Sequence, residues 1–322
     1  MDILEVNRAG SNLEHIAMGN ILGYENRSDE INQIRELQQQ LEELRRNKAP
    51  LESPWREDDS AVFSQEMKDK LLQKIKSIEL PDPCQAINLI VVGRKGSGKS
   101  SFVNTLFTVL RNSSQISTIA ASYGVNYPST TNSLHEITLL RNWNEKQLRI
   151  YDCRGVETPN EYYEKDLIKT ISGCIKKDYK FQTANSIRDD SIFLNQTPTI
   201  SDKMHCVLFV ASADQDFQKD KIVLANVQKH LREENIPLRL IFTKVDKLEL
   251  CGSGEVSEVF RSRHAHQKVN KAKGTFGLQD NQILPIASYV RCTTQNLPQD
   301  VLALLALENI LEEAVAYIKH SV

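Results

Sequence analysis

Apolar residues along this chain occur either in short continuous runs or in stripes with helical spacing. Short runs rich in β-branched and aromatic residues are typical of buried strands. They predict six strands, at residues 87–92, 134–140, 147–151, 206–212, 237–243 and 282–288. Because helical stripes lie between most of them, we expect an α/β fold with a mainly parallel sheet covered by helices on both faces. Ligands of such sheets gather at the carboxyl ends of the strands.

The helical stripes are spaced three and four residues apart, as one buried helix face requires. Phe102, Leu106 and Leu110 mark the helix after the first strand. Further stripes predict helices around residues 167–175, 224–231 and 257–269, and a long helix from Pro298 to Ile318. Pro298 suits the first turn of that last helix, where no backbone N–H is needed.

Two more helices are expected before the first strand, at residues 28–47 and 64–78, joined by a Pro-rich polar connector. In the first helix Ile34, Leu37, Leu41 and Leu44 occupy a and d positions for two heptads. Two heptads form an apolar stripe but are too few to specify a coiled coil. The stripe is equally consistent with pairing to a second chain or another protein and with folding back onto its own domain.

Composition and charge limit the classes of partner. The chain has 322 residues, of which 40% are hydrophobic, and Lys+Arg 40 against Asp+Glu 42 gives a net charge of -2. A near-neutral chain has no strong overall field that would favour nucleic acid or an anionic membrane. We therefore expect no nucleic-acid partner.

Cysteine usage and the first residues bear on location. The six cysteines are scattered without a C-x-x-C pair, which is typical of reduced thiols rather than a disulfide framework or a zinc site. The start "MDILEVNRAG" lacks the basic and apolar regions of a signal peptide, and no apolar run has membrane-spanning length. These features predict a cytoplasmic protein without a transmembrane segment.

The stretch "GRKGSGKS" after the first strand matches the pattern G-x-x-x-x-G-K-S. In this pattern backbone N–H groups and the N-terminus of the following helix hold phosphates. We expect Lys99 to reach the β- and γ-phosphates and Ser100 to bind Mg²⁺. The predicted phosphate loop comprises Gly93, Lys95, Gly96, Ser97, Gly98, Lys99, Ser100 and Ser101. The alternative is a glycine-rich turn with an exposed lysine.

The segment "YDCRG" ends the third predicted strand. The Asp152 carboxylate can hold a Mg²⁺-bound water, and the Gly155 N–H can meet a γ-phosphate. Between this segment and the phosphate loop, a GTPase needs a threonine that reaches Mg²⁺ only when the γ-phosphate is present. We favour Thr131 over Thr130, although both threonines are also consistent with simple loop capping.

The segment "TKVD" follows the fifth strand and discriminates between bases. The Asp246 carboxylate can accept bonds from guanine N1–H and the 2-amino group, while the Lys244 stem lies over the base. Adenine lacks this donor pair and would leave the carboxylate unpaired, a penalty of roughly 1–3 kcal/mol. Guanine is therefore expected, and an ATP-dependent enzyme is disfavoured. Thr243 belongs to the same motif, and Ala287 and Ser288 are placed to offer a backbone N–H to guanine O6.

Together these motifs resemble the G domain of a regulatory GTPase. The surrounding blocks "SPWRED", "SGCIKKDYKF", "CVLFVASAD", "IPLRLIFTKVD" and "VLALLALENILEEAV" are similar to the interferon-induced protein 44 and 44-like family, over roughly Pro54 to Ile318. The resemblance implies a cytoplasmic protein that binds GTP or GDP and acts in antiviral or innate immune responses. The family usually has Thr after the aspartate of the second motif, whereas this chain has Cys153 and Arg154 there.

The sequence therefore predicts a helical extension with its linker over residues 1–80 and a GTPase-like G domain over residues 81–322. Lys99, Thr131 and Gly155 are the candidate catalytic residues, and Ser100, Thr131 and Asp152 are the candidate Mg²⁺ ligands.

The position after Asp-x-x-Gly, where small GTPases have a glutamine that orients water, is Val156. We expect slow GTP hydrolysis unless Glu157, Arg154 or a partner chain supplies the missing group. The alternative function is a nucleotide-binding interaction module without turnover. Arg94, inside the loop, is better interpreted as solvent-facing than as a group that acts in a dimer.

Overall fold

The computed structural model describes residues 27–56, 63–111, 115–120, 133–143, 146–153, 155, 160–248, 250, 255–290 and 292–322. The chain divides into two compact units, Met1–Lys48 and Ala49–Val322. In the first unit, helix α1 (Arg27–Lys48) confirms the predicted N-terminal helix. Leu37 of this helix is exposed, whereas Ile34 and Leu41 are half-buried.

The second unit alternates strands and helices as the apolar pattern predicted. Its strands are β1 (Ala86–Gly93), β2 (His135–Trp143), β3 (Lys146–Asp152), β4 (Cys206–Ser212), β5 (Leu238–Thr243) and β6 (Ile283–Ile286). Its α-helices are α2 (Gln65–Ser77), α3 (Lys99–Leu110), α4 (Glu161–Ile171), α5 (Gln218–Glu233), α6 (Arg263–Phe276) and α7 (Leu297–Ser321). No helix within the described ranges is long and apolar enough to cross a membrane.

The strands form one six-stranded sheet in the order β2-β3-β1-β4-β5-β6. β2 pairs antiparallel with β3, and the other four pairs are parallel. The carboxyl ends of β1, β3, β4, β5 and β6 therefore meet at one edge of the sheet. Thr243 lies beside Ser212 on one side and Ile286 on the other, so three strand ends are in register there.

Each face of the sheet buries its own apolar layer, which confirms the predicted α/β class. Ile90 and Val92 of β1 join one layer with α4, α5 and α6. Leu89 and Val91 join the other layer with α2, α3 and α7. Successive side chains of a strand point to opposite faces, so a strand covered on both sides is apolar along its whole length.

Helix α2 lies in the second unit, whereas the sequence analysis grouped it with the extension of residues 1–80. The Ser64 hydroxyl accepts from Met67 N and caps the helix. Leu71, Leu72 and Ile75 are buried in the same layer as α7. This apolar face is therefore covered by the sheet domain, within the compact unit Ala49–Val322.

One predicted helix is two elements. Residues 257–269 were expected to be continuous, but a 3₁₀-helix (Val256–Arg261) precedes α6. Ser262 between them is extended, and its hydroxyl accepts from Ala265 N at 3.2 Å. A serine at this position competes with the helix for the backbone and favours a new helix start.

Helix α4 is shorter than its apolar stripe. The chain leaves the helix after Ile171, and Gly173 has φ +79. Ile175 is nevertheless buried in the same layer, through an isolated bridge to Leu194. Burial of an apolar residue can therefore continue a helical spacing after the helix itself has ended.

Candidate functional site

The predicted phosphate loop lies between β1 and α3, at the carboxyl edge of the sheet. Gly98 caps α3 with φ +103, a left-handed conformation that favours glycine. A Cβ on Gly98 would come within 3.1 Å of Thr243 Oγ1, so the loop also packs tightly against the end of β5. Gly96 has φ +77 and is exposed at the turn of the loop. The glycines therefore produce the turn that the motif predicted.

Lys99 is buried, with 7% of its surface exposed. Its Nζ atom donates to the carbonyls of Gly93 at 3.1 Å and Arg94 at 3.0 Å. Burial lowers the pKa of Lys99, and the nearby Asp152 carboxylate opposes this shift. The alternative of an exposed lysine in a glycine-rich turn is therefore wrong. A buried ammonium held by two neutral carbonyls is suited to bind an anion.

Ser100 and Asp152 lie together next to Lys99. Ser100 Oγ donates to Asp152 Oδ2 at 2.9 Å. Asp152 Oδ1 is buried and has no hydrogen-bond partner among the residues the structure describes. Burial raises the pKa of the Asp152 carboxyl, opposed by Lys99. A hydroxyl and a carboxylate with a spare lone pair fit Mg²⁺, which prefers oxygen ligands and retains bound waters.

Gly155 comes close to the phosphate loop. A Cβ on Gly155 would lie 2.8 Å from both Lys95 Cα and Lys99 Nζ. A side chain there would displace the loop, so glycine is required for this approach. The structure thereby brings Gly155 next to Lys99, as a γ-phosphate contact needs.

The remaining loop residues connect the phosphate loop to β5 and α3. Thr243 Oγ1 donates to the carbonyl of Ser97 at 2.5 Å. Ser97 is buried, and its Oγ atom has no partner in the described part of the chain. Ser101 is half-buried, and its carbonyl accepts from Thr105 Oγ1 at 2.8 Å. Thr243 therefore supports the phosphate loop through its side chain, a role that the sequence analysis did not assign to it.

The predicted base contacts lie after β5. Lys244 has φ +60, and its Nζ atom is 3.4 Å from Asp214 Oδ1. Asp246 lies at the same edge with much of its surface exposed. Its carboxyl is nevertheless partly buried, and this burial raises the pKa of the carboxyl. For Asp214, burial opposes ionisation, but the Ser212 hydroxyl bond and Lys244 together lower the pKa. The ionised Asp214 therefore holds the lysine that the sequence predicts to lie over the base.

Ala287 and Ser288 follow β6 beside these residues. Ala287 is buried and Ser288 is half-buried. Ser288 Oγ is enclosed without a partner among the described residues. The next residue, Tyr289, donates its backbone N–H to Thr105 Oγ1 at 3.0 Å. The segment is thus held against α3, next to the phosphate loop.

Several predicted residues lie outside the part of the chain that the structure describes. Thr130, Thr131, Arg154, Val156 and Glu157 are among them. The assignment of Thr131 to Mg²⁺ and the source of the water-orienting group therefore stay predictions.

Sequence reasoning missed Asp220 on α5. It has 1% of its surface exposed, and its Oδ2 atom has no partner within the described ranges. Burial raises its pKa to about 6, opposed by the charges of Arg94 and, less strongly, Lys99. Arg94 is half-buried rather than solvent-facing, and its Nε atom is enclosed. An aspartate in the first turn of a predicted helix is an ordinary feature, so the sequence contained no signal for the burial of this carboxyl near Arg94.

Cys153 occupies the position after Asp152 at which the resembling family usually has Thr. Its Sγ atom donates to the carbonyl of Val91 at 2.9 Å and lies 3.6 Å from the Tyr163 hydroxyl. Burial raises its pKa to about 12, so the thiol stays neutral. The side chain therefore packs between β1 and α4 and does not face the candidate Mg²⁺ ligands.

A family model described as 50S ribosome-binding GTPase matches residues 88–244. This range contains the phosphate loop, Asp152 and the start of the base motif. This part of the chain is therefore similar to a GTPase domain, and the fold and the motifs agree with that similarity.

The chain is also similar to interferon-induced protein 44. It is 24% identical to the protein of Homo sapiens over 253 residues, which is 76% of this chain and 56% of that protein. It is 24% identical to the Mus musculus protein over 255 residues, 77% of this chain and 60% of the relative. Human interferon-induced protein 44-like is 24% identical over 262 residues, which is 79% of this chain and 57% of that protein. The resemblance predicted from the sequence is confirmed, and the chain spans less than two thirds of these relatives.

Among solved structures, Toc33 from Arabidopsis thaliana in complex with Mg²⁺ and GMPPNP has a TM-score of 0.46 at 14% identity, covering 78% of this chain and 92% of Toc33. Toc33 in complex with GDP and Mg²⁺ has a TM-score of 0.43 at 15% identity, covering 76% and 91%.

Proposed function

We propose that this protein is a guanine-nucleotide-dependent switch with slow Mg²⁺-dependent GTPase activity. The support is the match of residues 88–244 to a GTPase family model and the similarity to interferon-induced protein 44 and 44-like. The observation that carries the proposal is the burial of both Lys99 and Asp152, whose Oδ1 atom has no hydrogen-bond partner in the described part of the chain. Burial of a charged lysine and of an ionised carboxylate is unfavourable when no ligand pairs their charges. A bound nucleotide phosphate with its metal ion offsets both penalties at once.

The phosphate loop contributes backbone and lysine contacts. Lys99 exchanges its two carbonyl partners for the β- and γ-phosphates, and the N-terminus of α3 adds its positive end. The Gly155 N–H contacts the γ-phosphate, because its backbone already lies against Lys99.

Mg²⁺ bound by this site neutralises charge on the phosphates of the nucleotide. Ser100 would be its direct ligand, and Asp152, whose Oδ1 atom is buried without a partner among the described residues, would hold a metal-bound water. Thr131 is the proposed third contact, formed when the γ-phosphate is present. Because this contact would form with GTP and not with GDP, it would make the conformation of the loop depend on which nucleotide is bound.

Selection of guanine is assigned to Asp246. Its carboxylate accepts from N1–H and the 2-amino group, and the Lys244 stem covers one face of the base. A backbone N–H of Ala287 or Ser288 donates to O6. These residues lie at the carboxyl ends of two neighbouring parallel strands, β5 and β6, which supports a single base site.

Turnover is proposed to be slow because Val156 cannot orient water. The second candidate function is a nucleotide-binding interaction module without turnover, and the same valine favours it. Intact Lys99, Ser100 and Asp152 favour hydrolysis. A homodimer or a protein partner, contacted through α1, is the proposed source of the missing group.

The experiment that tests the proposal begins with chromatographic analysis of nucleotide bound to the purified protein. GTP and ATP turnover are then measured with Mg²⁺ and with EDTA. We expect bound GDP or GTP, and slow Mg²⁺-dependent hydrolysis of GTP but not ATP. Bound guanine nucleotide without turnover would favour the interaction module, and preferential binding of ATP would refute the assignment of the base site.

For the cellular role, we propose a cytoplasmic protein of the innate antiviral response. The support is the similarity to relatives whose names describe them as interferon-induced. Interferon treatment of cells from the source organism should raise the protein level, and fractionation should place it in the cytosol. An unchanged level after treatment would contradict this part of the proposal.

A further inference from the structure

Tyr289, directly after the proposed base segment Ala287–Ser288, is held by its main chain and by its side chain. Its backbone N–H donates to Thr105 Oγ1 at 3.0 Å. The Thr105 hydroxyl donates in turn to the carbonyl of Ser101, in the first turn of α3, at 2.8 Å. The main chain that follows the base segment is therefore tied to the helix that carries the phosphate site.

The Tyr289 side chain enters a buried polar network. Its hydroxyl accepts from Asn296 N at 2.6 Å and lies 2.8 Å from Asp300 Oδ1. Asp300 Oδ2 is 2.8 Å from Lys68 Nζ on α2. Exposed fractions are 4% for Tyr289, 1% for Asp300 and 7% for Lys68.

Because this network is buried, its hydrogen bonds allow little movement of the groups that form them. Buried polar groups that all have partners restrict the main chain around them, because any shift leaves a desolvated group unpaired. Burial, together with the Asp300 bond, also raises the pKa of Tyr289, although the backbone bond from Asn296 opposes the shift. The phenol therefore stays protonated and can donate to the Asp300 carboxylate.

We propose that Tyr289 is a positioning residue for the base segment and that α2, through Lys68 and Asp300, contributes to guanine-nucleotide binding. This inference rests on the proposed function. A backbone N–H binds O6 strongly only when its direction is set to within about 10–20°. Tyr289 follows the two residues that supply that N–H and is held through its own backbone N–H and through its hydroxyl.

Lys74 on the same helix provides a matched comparison. It also joins α2 to α7, through Glu308 and through Glu312 at 2.8 Å. This pair is on the surface, with half of the Lys74 side chain exposed, and it does not involve Tyr289. Loss of the Lys74 contacts loosens the same helix pair without touching the base segment.

The experiment compares Tyr289→Phe with Lys74→Met and measures dissociation constants for GDP and 6-thio-GDP by calorimetry. The thio analogue keeps N1–H and the 2-amino group but replaces O6 with a weakly accepting sulfur. Tyr289→Phe should weaken GDP binding about 3- to 10-fold, the size of one hydrogen bond, and 6-thio-GDP binding less than about 2-fold. Lys74→Met should change neither by more than about 2-fold.

The double variant Lys68→Met with Asp300→Leu tests the helix contribution without leaving one buried charge unpaired. It should reproduce the selective loss of GDP affinity. Equal weakening of both ligands by Tyr289→Phe, or no change in either, would overturn the inference. A wild-type protein that binds no GDP would refute the proposed function itself, so the two failures are distinguishable.

Discussion

The proposed phosphate-binding end of the site, around Lys99 and Asp152, and the proposed base-binding end, around Lys244 and Asp246, differ in how deeply their charged groups are buried. At the phosphate end, Lys99 and Asp152 are buried, and burial shifts both pKa values towards the neutral forms. At the base end, Asp246 is exposed, and Lys244 forms a partly exposed ion pair with Asp214.

This difference separates affinity from selectivity. Buried charges without full partners gain most from a ligand that pairs them, so the phosphate end should supply most of the binding free energy. Partly exposed ion pairs contribute little to stability. The base end should therefore set which nucleotide binds while adding less to how tightly it binds.

The largest effect is expected from Lys99→Ala. Removal of the ammonium takes away two charge-assisted contacts to phosphate and should weaken GDP binding by about 100-fold or more. The fold should persist, because burial disfavours the charged lysine in the nucleotide-free protein. Calorimetry and thermal unfolding measure both effects. Lys247→Ala is the control, because Lys247 is exposed at the base end, and this variant should retain GDP affinity within about 2-fold. Unchanged GDP affinity in Lys99→Ala would refute the proposed phosphate site.

Asp246→Asn should change selectivity more than affinity. The amide donates to the C2 oxygen of xanthine, so preference should move from GTP towards XTP by about 10- to 100-fold. Competition titration with the two nucleotides measures the ratio. Asp214→Asn is the matched control, since it removes the partner of Lys244 but no proposed base contact. A base preference that moves equally in both variants would show that Asp246 does not contact the base.

A smaller effect is expected on the rate of GTP hydrolysis when protein concentration changes. Neither the phosphate end nor the base end contains a residue assigned to orient the attacking water. If a second chain supplies the group that Val156 lacks, specific GTPase activity should rise a few-fold with protein concentration. Leu37→Glu with Leu41→Glu on α1 should flatten that rise and spare GTP affinity. Asn32→Asp with Gln39→Glu adds the same charge on an exposed face of the helix and should not. Fast, concentration-independent hydrolysis by a monomer, established by light scattering, would contradict the idea.

The smallest effect concerns stability near the phosphate end. The pKa of Asp220 is raised from 3.8 to about 6, so the folded state binds a proton more tightly than the unfolded state. The nucleotide-free protein should therefore lose stability as pH rises from about 4 through about 6.

Asp220→Asn should remove part of that loss. We expect a Tm about 2–4 °C above wild type at pH 7, the shift that about 1 kcal/mol produces in a large domain, and convergence near pH 4. Glu233→Gln, which changes an exposed carboxyl at the other end of α5, should follow the wild-type profile. Parallel profiles for wild type and Asp220→Asn would show that this carboxyl does not titrate there.

Local patterns sufficed where one short segment contains the whole signal. The phosphate loop could be predicted because glycine spacing, the lysine and the flanking strand and helix are contiguous from β1 to α3. Strand β4 was predicted at its observed bounds, Cys206–Ser212, since a strand buried on both faces is apolar throughout. The helix expected at residues 257–269 was wrong in its continuity, because an apolar stripe does not distinguish one helix from two that share a face.

The sequence by itself determined the fold class and the glycine-rich turn between β1 and α3, and it predicts guanine as the base, since each of these depends on residues near one another in the chain. Tertiary structure alone decided the setting of Asp220, the support of the loop by Thr243 and the network around Tyr289. Lys68 and Asp300 are 232 positions apart, and Tyr289 and Thr105 are 184 apart. Contacts at such separations arise only when the sheet brings its strand ends and covering helices together, so periodicity, which describes neighbours along the chain, contains no signal for them.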